Sequence, residues 1–237
     1  MAQLASAFFA LTVLVAAAPA HAGDAFTGFQ MDGRAQHFAY LGVQENFQFE
    51  ALGFQPYVQL FGAGQKYEYE SGSRDVEAEM QFLTPSLGLR KSFEGTGWSV
   101  SALVGPRLQW KSEEGGGGVD SNRDFDEGIF AQIEPMYWQE AYSVHGIFSY
   151  GSIDDFFFGR LRGKHLAYAP EQGAGCCKLF AGVDVAGMGN RDFKQIQVGP
   201  VFEVPLGHFF VLFRGGYQYD SSFDDGGYGG LELYTPF

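Results

Sequence analysis

The sequence predicts an all-β fold: an antiparallel up-and-down β-barrel that crosses a membrane with about twelve strands. Three observations predict it. Apolar and polar residues alternate with period two along many short segments, the signature of a strand with two different faces. The composition combines 17% aromatic residues and 34 glycines with only 15 Lys and Arg against 28 Asp and Glu, which fits a sheet carrying aromatic girdles at two membrane interfaces. The chain also ends on an extended segment, Gly226 to Phe237. There Leu231, Leu233, Thr235 and Phe237 share one face, and Gly230, Glu232 and Tyr234 share the other.

The N-terminus reads as a secretory signal. Phe8 to Ala18 is a short apolar stretch, followed by Pro19 and the A-x-A pattern Ala20-His21-Ala22, so the mature chain is expected to start at Gly23. Its leading residues lack Lys and Arg. The apolar run falls short of the roughly 20 residues of a spanning helix, which argues against an anchor. Every later apolar run is interrupted by charge or glycine. Residues 23–237 are then one barrel, with no repeat, linker or second domain. The net charge of −13 argues against nucleic acid as a partner.

Twelve strands are expected. The first, Ala25 to Met31, turns at Asp32-Gly33, a strong hairpin dipeptide. The second is Gln36 to Gln44, the third Phe54 to Tyr69, and the fourth Glu79 to Ser92. The faces of the second and third are not cleanly sorted. In the fifth, Trp98 to Trp110, one face reads Trp98, Val100, Ala102, Val104, Pro106, Leu108, Trp110, and the other is mostly small or polar. Lipid on one side and a hydrated lumen on the other produce that pattern. The sixth, Glu127 to Trp138, sends Ile129, Ala131, Ile133 and Tyr137 out and Gln132 and Glu134 in. The seventh, Tyr142 to Tyr150, carries Ser143, His145 and Ser149 inward. The eighth, Asp155 to His165, puts Arg160, Arg162 and Lys164 on one face. The ninth, Leu179 to Ala186, has Asp184 inward. The tenth, Phe193 to Val204, has Glu203 inward. The eleventh, His208 to Tyr219, has Arg214 and Gln218 inward. The twelfth is the closing strand with its terminal Phe237, and it resembles the closing strand of bacterial outer-membrane barrels, whose end is read by the barrel-assembly machinery.

An even strand number puts both termini on one side, expected to be the periplasm. The long acidic, glycine-rich loop from Ser112 to Asp124, with Gly115 to Gly118 at its tip, then lies outside. The segment Ala167 to Lys178 lies inside. Cys176 and Cys177 are adjacent in it, so a bridge between them is strained. They read as a turn, or as an intermolecular bridge in an oxidising compartment.

The chemistry-bearing candidates lie on inward faces. Arg160, Arg162 and Lys164, with Arg107 and Arg214, are expected to line the lumen, and Glu134, Asp184, Glu203 and Glu232 are their candidate acidic partners. Two roles follow: ion pairs that plug a narrow barrel, or a track for anionic or hydroxyl-rich sugars. His145 between Ser143 and Ser149 is a weak hydrolase candidate, because residues two apart on one strand face are beyond hydrogen-bond reach. Asp154, Asp155, Asp224 and Asp225 are acidic turn residues that either solvate or attract calcium. No metal, cofactor or catalytic residue is expected.

Three segments carry a family resemblance: Gly28-Phe29-Gln30-Met31-Asp32-Gly33 with Tyr40-Leu41-Gly42; Ser149-Tyr150-Gly151 through Arg160-Leu161-Arg162-Gly163; and Gly189-Asn190-Arg191-Asp192-Phe193-Lys194-Gln195. Together they resemble the small outer-membrane barrel family associated with bacterial cellulose biosynthesis, the BcsS family. The resemblance does not take in the adjacent cysteines or the Ser112 to Asp124 loop. It implies a Gram-negative outer-membrane protein, embedded in outer-membrane lipid, that supports cellulose or related exopolysaccharide production in contact with polysaccharide and the cellulose-synthesis components. It supplies no catalytic residue. A narrow porin for acidic oligosaccharides, using the basic row, is the alternative.

Overall fold

The computed structural model describes residues 23–33, 36–47, 49, 53–71, 74–115, 119–170, 178–191, 193–221 and 225–236. The expected signal segment (1–22), Cys176, Cys177, Asp224 and Phe237 lie outside the described residues. Among those described, twelve strands run in order: β1 Gly23–Asp32, β2 His37–Asn46, β3 Gln55–Ser71, β4 Arg74–Phe93, β5 Trp98–Gly115, β6 Val119–Trp138, β7 Tyr142–Gly151, β8 Phe156–Tyr168, β9 Leu179–Gly189, β10 Lys194–Leu206, β11 Phe209–Asp220 and β12 Gly226–Pro236. One turn of 3-10 helix, Ile153–Asp155, links β7 to β8. Each strand pairs antiparallel with its chain neighbours, and β1 pairs with β12, so the sheet closes. Asp24 sits opposite Pro236, which places both ends of the described chain at one end of the barrel.

Closure explains the alternation. With no free edge, each of the twelve strands has a ladder partner on both sides, which is what allows strands to stand in lipid. The outward residues form an apolar skin: Leu87 is 68% exposed, Ile129 62% and Val104 54%. Rings of aromatics bound it. Trp98 and Tyr137 pack 4.9 Å apart near the terminus end, and Trp110 and Phe125 pack 5.5 Å apart toward the other. The rise from Trp98 to Trp110 is about 40 Å along the strand, or about 30 Å after a tilt of about 40°, close to the thickness of a bilayer's apolar core.

The structure corrects the expected limits of two hairpins. β3 and β4 have 17 and 20 residues, β5 and β6 have 18 and 20, whereas the other strands have 10 to 13. The stretch from Ser112 to Asp124, expected as a loop, is strand on both sides of residues 116–118, with pairs such as Lys111–Asp124 and Ser112–Arg123. β4 likewise starts at Arg74 rather than near Glu79. Outside the lipid band neither face must be apolar, so the alternation lapses while the backbone ladder continues.

Four prolines interrupt the ladder. Pro85 and Pro106 lie between the Leu83–Leu108 and Leu87–Val104 pairs, Pro135 between Ile133–Phe148 and Met136–His145, and Pro200 between Val198–Tyr217 and Val201–Arg214. Proline has no N–H to give.

Candidate functional site

The inward faces fill the lumen in two different ways. On one wall, β8 presents Arg160, Arg162 and Lys164 at alternate positions, all buried. β9 sets Asp184 opposite Arg162, while β10, β11 and β12 supply Glu203, Arg214 and Glu232. Arg162 Nε donates to Asp184 Oδ2 at 2.7 Å, and its Nη1 and Nη2 donate to the two oxygens of Glu232 at 2.9 and 3.0 Å. That fork is the strong form of a charge-assisted hydrogen bond. Arg160 Nη1 donates to Glu232 Oε1 at 2.9 Å. Arg214 Nε lies 3.2 Å from Glu232 Oε1 as a charge contact without hydrogen-bond alignment, and its Nη2 donates to Gln30 Oε1 at 2.6 Å. Lys164 Nζ donates to Glu203. Four cations thus share three carboxylates, and the link from β8 to β12 spans the lumen.

Toward the end away from the termini, amides continue this wall. Gln197 donates to Gln218 at 2.8 Å, Gln195 to Asp220 at 3.1 Å, and Gln218 to Asp32 at 3.3 Å.

The facing wall is aromatic. Phe26, Tyr40, Phe61 and Phe82 from β1 to β4 form a chain of rings, with centroids 6.2 Å apart for Phe26–Phe61, 6.0 Å for Tyr40–Phe61 and 5.9 Å for Phe61–Phe82. Tyr57, Leu103 and Phe130 make a buried apolar cluster beside them. Glycine seats these rings: Tyr40 lies over Gly28, Phe26 over Gly42 and Tyr57 over Gly88, each where a Cβ would stand. Cross-strand aromatic-over-glycine pairs of this kind pin register.

Two residues expected beside the basic row sit elsewhere. Glu134 accepts from Gln132 Nε2 at 2.7 Å and from Ser101 Oγ at 3.3 Å, on the β5–β6 wall. Arg107 lies on β5 with its guanidinium carbon 4.0 Å above the Phe82 ring centre. Both face inward as their parity requires, but height and wall are set by the stagger between strands, which parity does not reveal. His145 faces inward with Ser143 and Ser149, and its cross-strand neighbours are Met136 and Arg162. Asp155 accepts from Tyr150 and pairs with Arg191, and Asp225 accepts from Tyr217. Among the described residues no cluster of His, Cys, Asp or Glu is arranged to hold a metal ion. The aromatic wall has no counterpart in the sequence reading, whereas Gln195, Gln197 and Gln218 of the amide ladder fall on the faces that strand parity turns inward. The glycines opposite Phe26, Tyr40 and Tyr57 were the available signal.

The family model for the cellulose biosynthesis protein BcsS matches residues 24–237, the described barrel from its second residue onward. The chain belongs to the BcsS family. Solved structures similar to this family member include the β domain of the Bordetella autotransporter BrkA, with 12% identity over 92% of this chain and 100% of that one and a TM-score of 0.56. The transport unit of the autotransporter AIDA-I from Escherichia coli gives 10% identity over 93% and 92%, with a TM-score of 0.54. The translocator domain of NalP from Neisseria meningitidis gives 13% over 100% and 96%, with a TM-score of 0.51. At such identity the likeness is of fold. No curated protein matches. Family and fold together make this an outer-membrane β-barrel with an accessory role in cellulose synthesis.

Proposed function

We propose that this barrel is a non-enzymatic scaffold whose lumen is closed to solutes, and that it supports cellulose or related exopolysaccharide production by contact with the synthesis or export components. The observation that carries the reading is the occupation of the basic row. Arg160, Arg162, Lys164 and Arg214 are already held by Asp184, Glu203 and Glu232, so they are poorly placed to track a passing anionic sugar. The aromatic wall fills the facing side. In this reading residues 1–22 are removed on export, the terminal Phe237 addresses the chain to the barrel-assembly machinery, and both ends of the mature chain face the periplasm.

Planar-bilayer recording of the purified barrel tests closure: wild type and Arg162→Ala are both expected to be silent. A wild-type channel whose anion selectivity falls in Arg162→Ala would replace the scaffold with the narrow pore for acidic oligosaccharides. Deleting the gene is expected to reduce secreted cellulose, and His145→Ala is expected to restore it as fully as wild type; failure of that rescue would point to hydrolysis. Orientation is read in a Cys176→Ser, Cys177→Ser background. A cysteine at exposed Glu114 is expected to react with a membrane-impermeant maleimide on intact cells, and a cysteine at Gly207 is expected not to.

A further inference from the structure

The cation that the ionic wall leaves out sits in surroundings of its own. Arg107 is 6% exposed, yet among the described residues no carboxylate is within ion-pair distance of it. Its Nε is buried without a hydrogen-bond partner. Two further orphans lie on the adjoining strand. Thr84 Oγ1 and Ser86 Oγ are buried and unpartnered, their residues 1% and 6% exposed. All three belong to the inward faces of β4 and β5, in the stretch between the Leu83–Leu108 and Leu87–Val104 pairs.

The neighbourhood is shaped as well as polar. The Phe82 ring lies beneath the guanidinium, 4.0 Å from ring centre to Cζ, within cation–π reach. Glycine makes the room: a Cβ at Gly151 would stand 3.1 Å from Arg107 Nη1, and one at Gly105 would strike the Pro85 carbonyl oxygen and stand 2.7 Å from Ser86 Oγ. Gln109, buried on the same face of β5, adds an amide. The carboxylate that acts on Arg107 through space is Asp154, exposed on the 3-10 turn. A buried guanidinium without a contact ion pair is costly, and buried hydroxyls lacking partners add to that cost. A guanidinium fork with two hydroxyls beside it is the donor set that suits an oxyanion.

We propose that Arg107, Thr84 and Ser86 form an internal oxyanion site, separate from the ionic wall, that binds a carboxylate or phosphate group of a ligand entering from the end of the barrel away from the termini. The site does not depend on the cellulose role, nor on whether the lumen conducts, because entry from one end suffices. Gly151, Gly128 and the Ile153–Asp155 turn surround its approach.

The test is urea unfolding of the full barrel in lipid vesicles, titrated with glucuronate or with inorganic phosphate, against sodium chloride at matched ionic strength. A ligand that binds the folded state raises the midpoint by mass action. Wild type is expected to show a saturable rise with at least one oxyanion. Arg107→Gln is expected to lose it entirely. Arg107→Lys and the pair Thr84→Val, Ser86→Ala are expected to reduce it. Asp154→Asn is expected to enlarge it by removing the competing carboxylate. A larger response to glucuronate assigns the site to an acidic sugar, and a larger response to phosphate assigns it to a phosphate-bearing ligand. No saturable rise in wild type, or the same rise in Arg107→Gln, overturns the proposal. If Arg107→Gln fails to fold, an undiminished response in both Arg107→Lys and the double variant overturns it equally.

Discussion

The two walls of the lumen solve one problem with different forces. From β8 to β12 the interior is filled by charge: Glu232 takes contacts from Arg160, Arg162 and Arg214, and Lys164 reaches Glu203. From β1 to β6 rings and apolar side chains stand among uncharged polar groups and Arg107, with Tyr57, Leu103 and Phe130 buried together and Phe26, Tyr40 and Tyr57 seated over glycines. The difference lies in tolerance. An apolar wall loses stability in proportion to the volume removed, and its neighbours relax into part of the gap. An ionic wall is satisfied as a set, so removing one member strands the others in a poorly solvated interior.

The contrast can be broken most severely at Glu232. Glu232→Gln leaves three guanidinium groups with Asp184 as their nearest remaining carboxylate, and is expected to cost about 3 to 5 kcal/mol, read as a fall in the urea midpoint in lipid vesicles. Arg162→Ala is expected to fall in the same range. A loss under about 1 kcal/mol for either would mean that the ionic wall is hydrated rather than dry. On the apolar wall, Leu103→Ala is expected to cost about 2 to 5 kcal/mol, and Leu103→Met less than about 1.5 kcal/mol. An equally large loss with methionine would show that this wall is as unforgiving as the ionic one. The smallest effect is expected from Lys66→Ala. Its ion pair with Glu77 stands on the tall hairpin with both side chains partly exposed, 35% and 46%, so about 0 to 1 kcal/mol is at stake. A larger change there would make the tall hairpins part of the cooperative unit.

The same contrast governs what a reader of the sequence could see. β5 was legible because its lipid face is apolar from Trp98 to Trp110 while its inward face carries Ser101, Arg107 and Gln109. β2 and β3 were blurred because Phe38, Tyr40 and Phe61 point inward, so both faces read as apolar. The tall hairpins were cut short because their outer turns have no lipid to impose alternation. Within the site, parity alone identified Arg160, Arg162, Lys164 and Arg214 with Asp184, Glu203 and Glu232 as inward residues. It could not separate Arg107 and Glu134 from them, because stagger between strands decides which inward residues share a height. Thr84 and Ser86 gave no signal, since a single hydroxyl on a strand is unremarkable until its partners are counted.

The contact between β8 and β12 has a meaning in time as well as in space. Arg160 and Arg162 leave the ribosome some seventy residues ahead of Glu232, the separation of their hydrogen bonds along the chain. Until the last strand arrives, the two arginines hold their charge with Asp184 as the nearest carboxylate, and water must stay with them. Once β12 pairs with β1 and β11, the sheet has no free edge and Glu232 stands in the lumen. Closing the sheet and completing the ion cluster both require the final strand, because a chain without β12 lacks the β1 partner and Glu232 alike. The ion cluster works as a latch that only the finished barrel can throw.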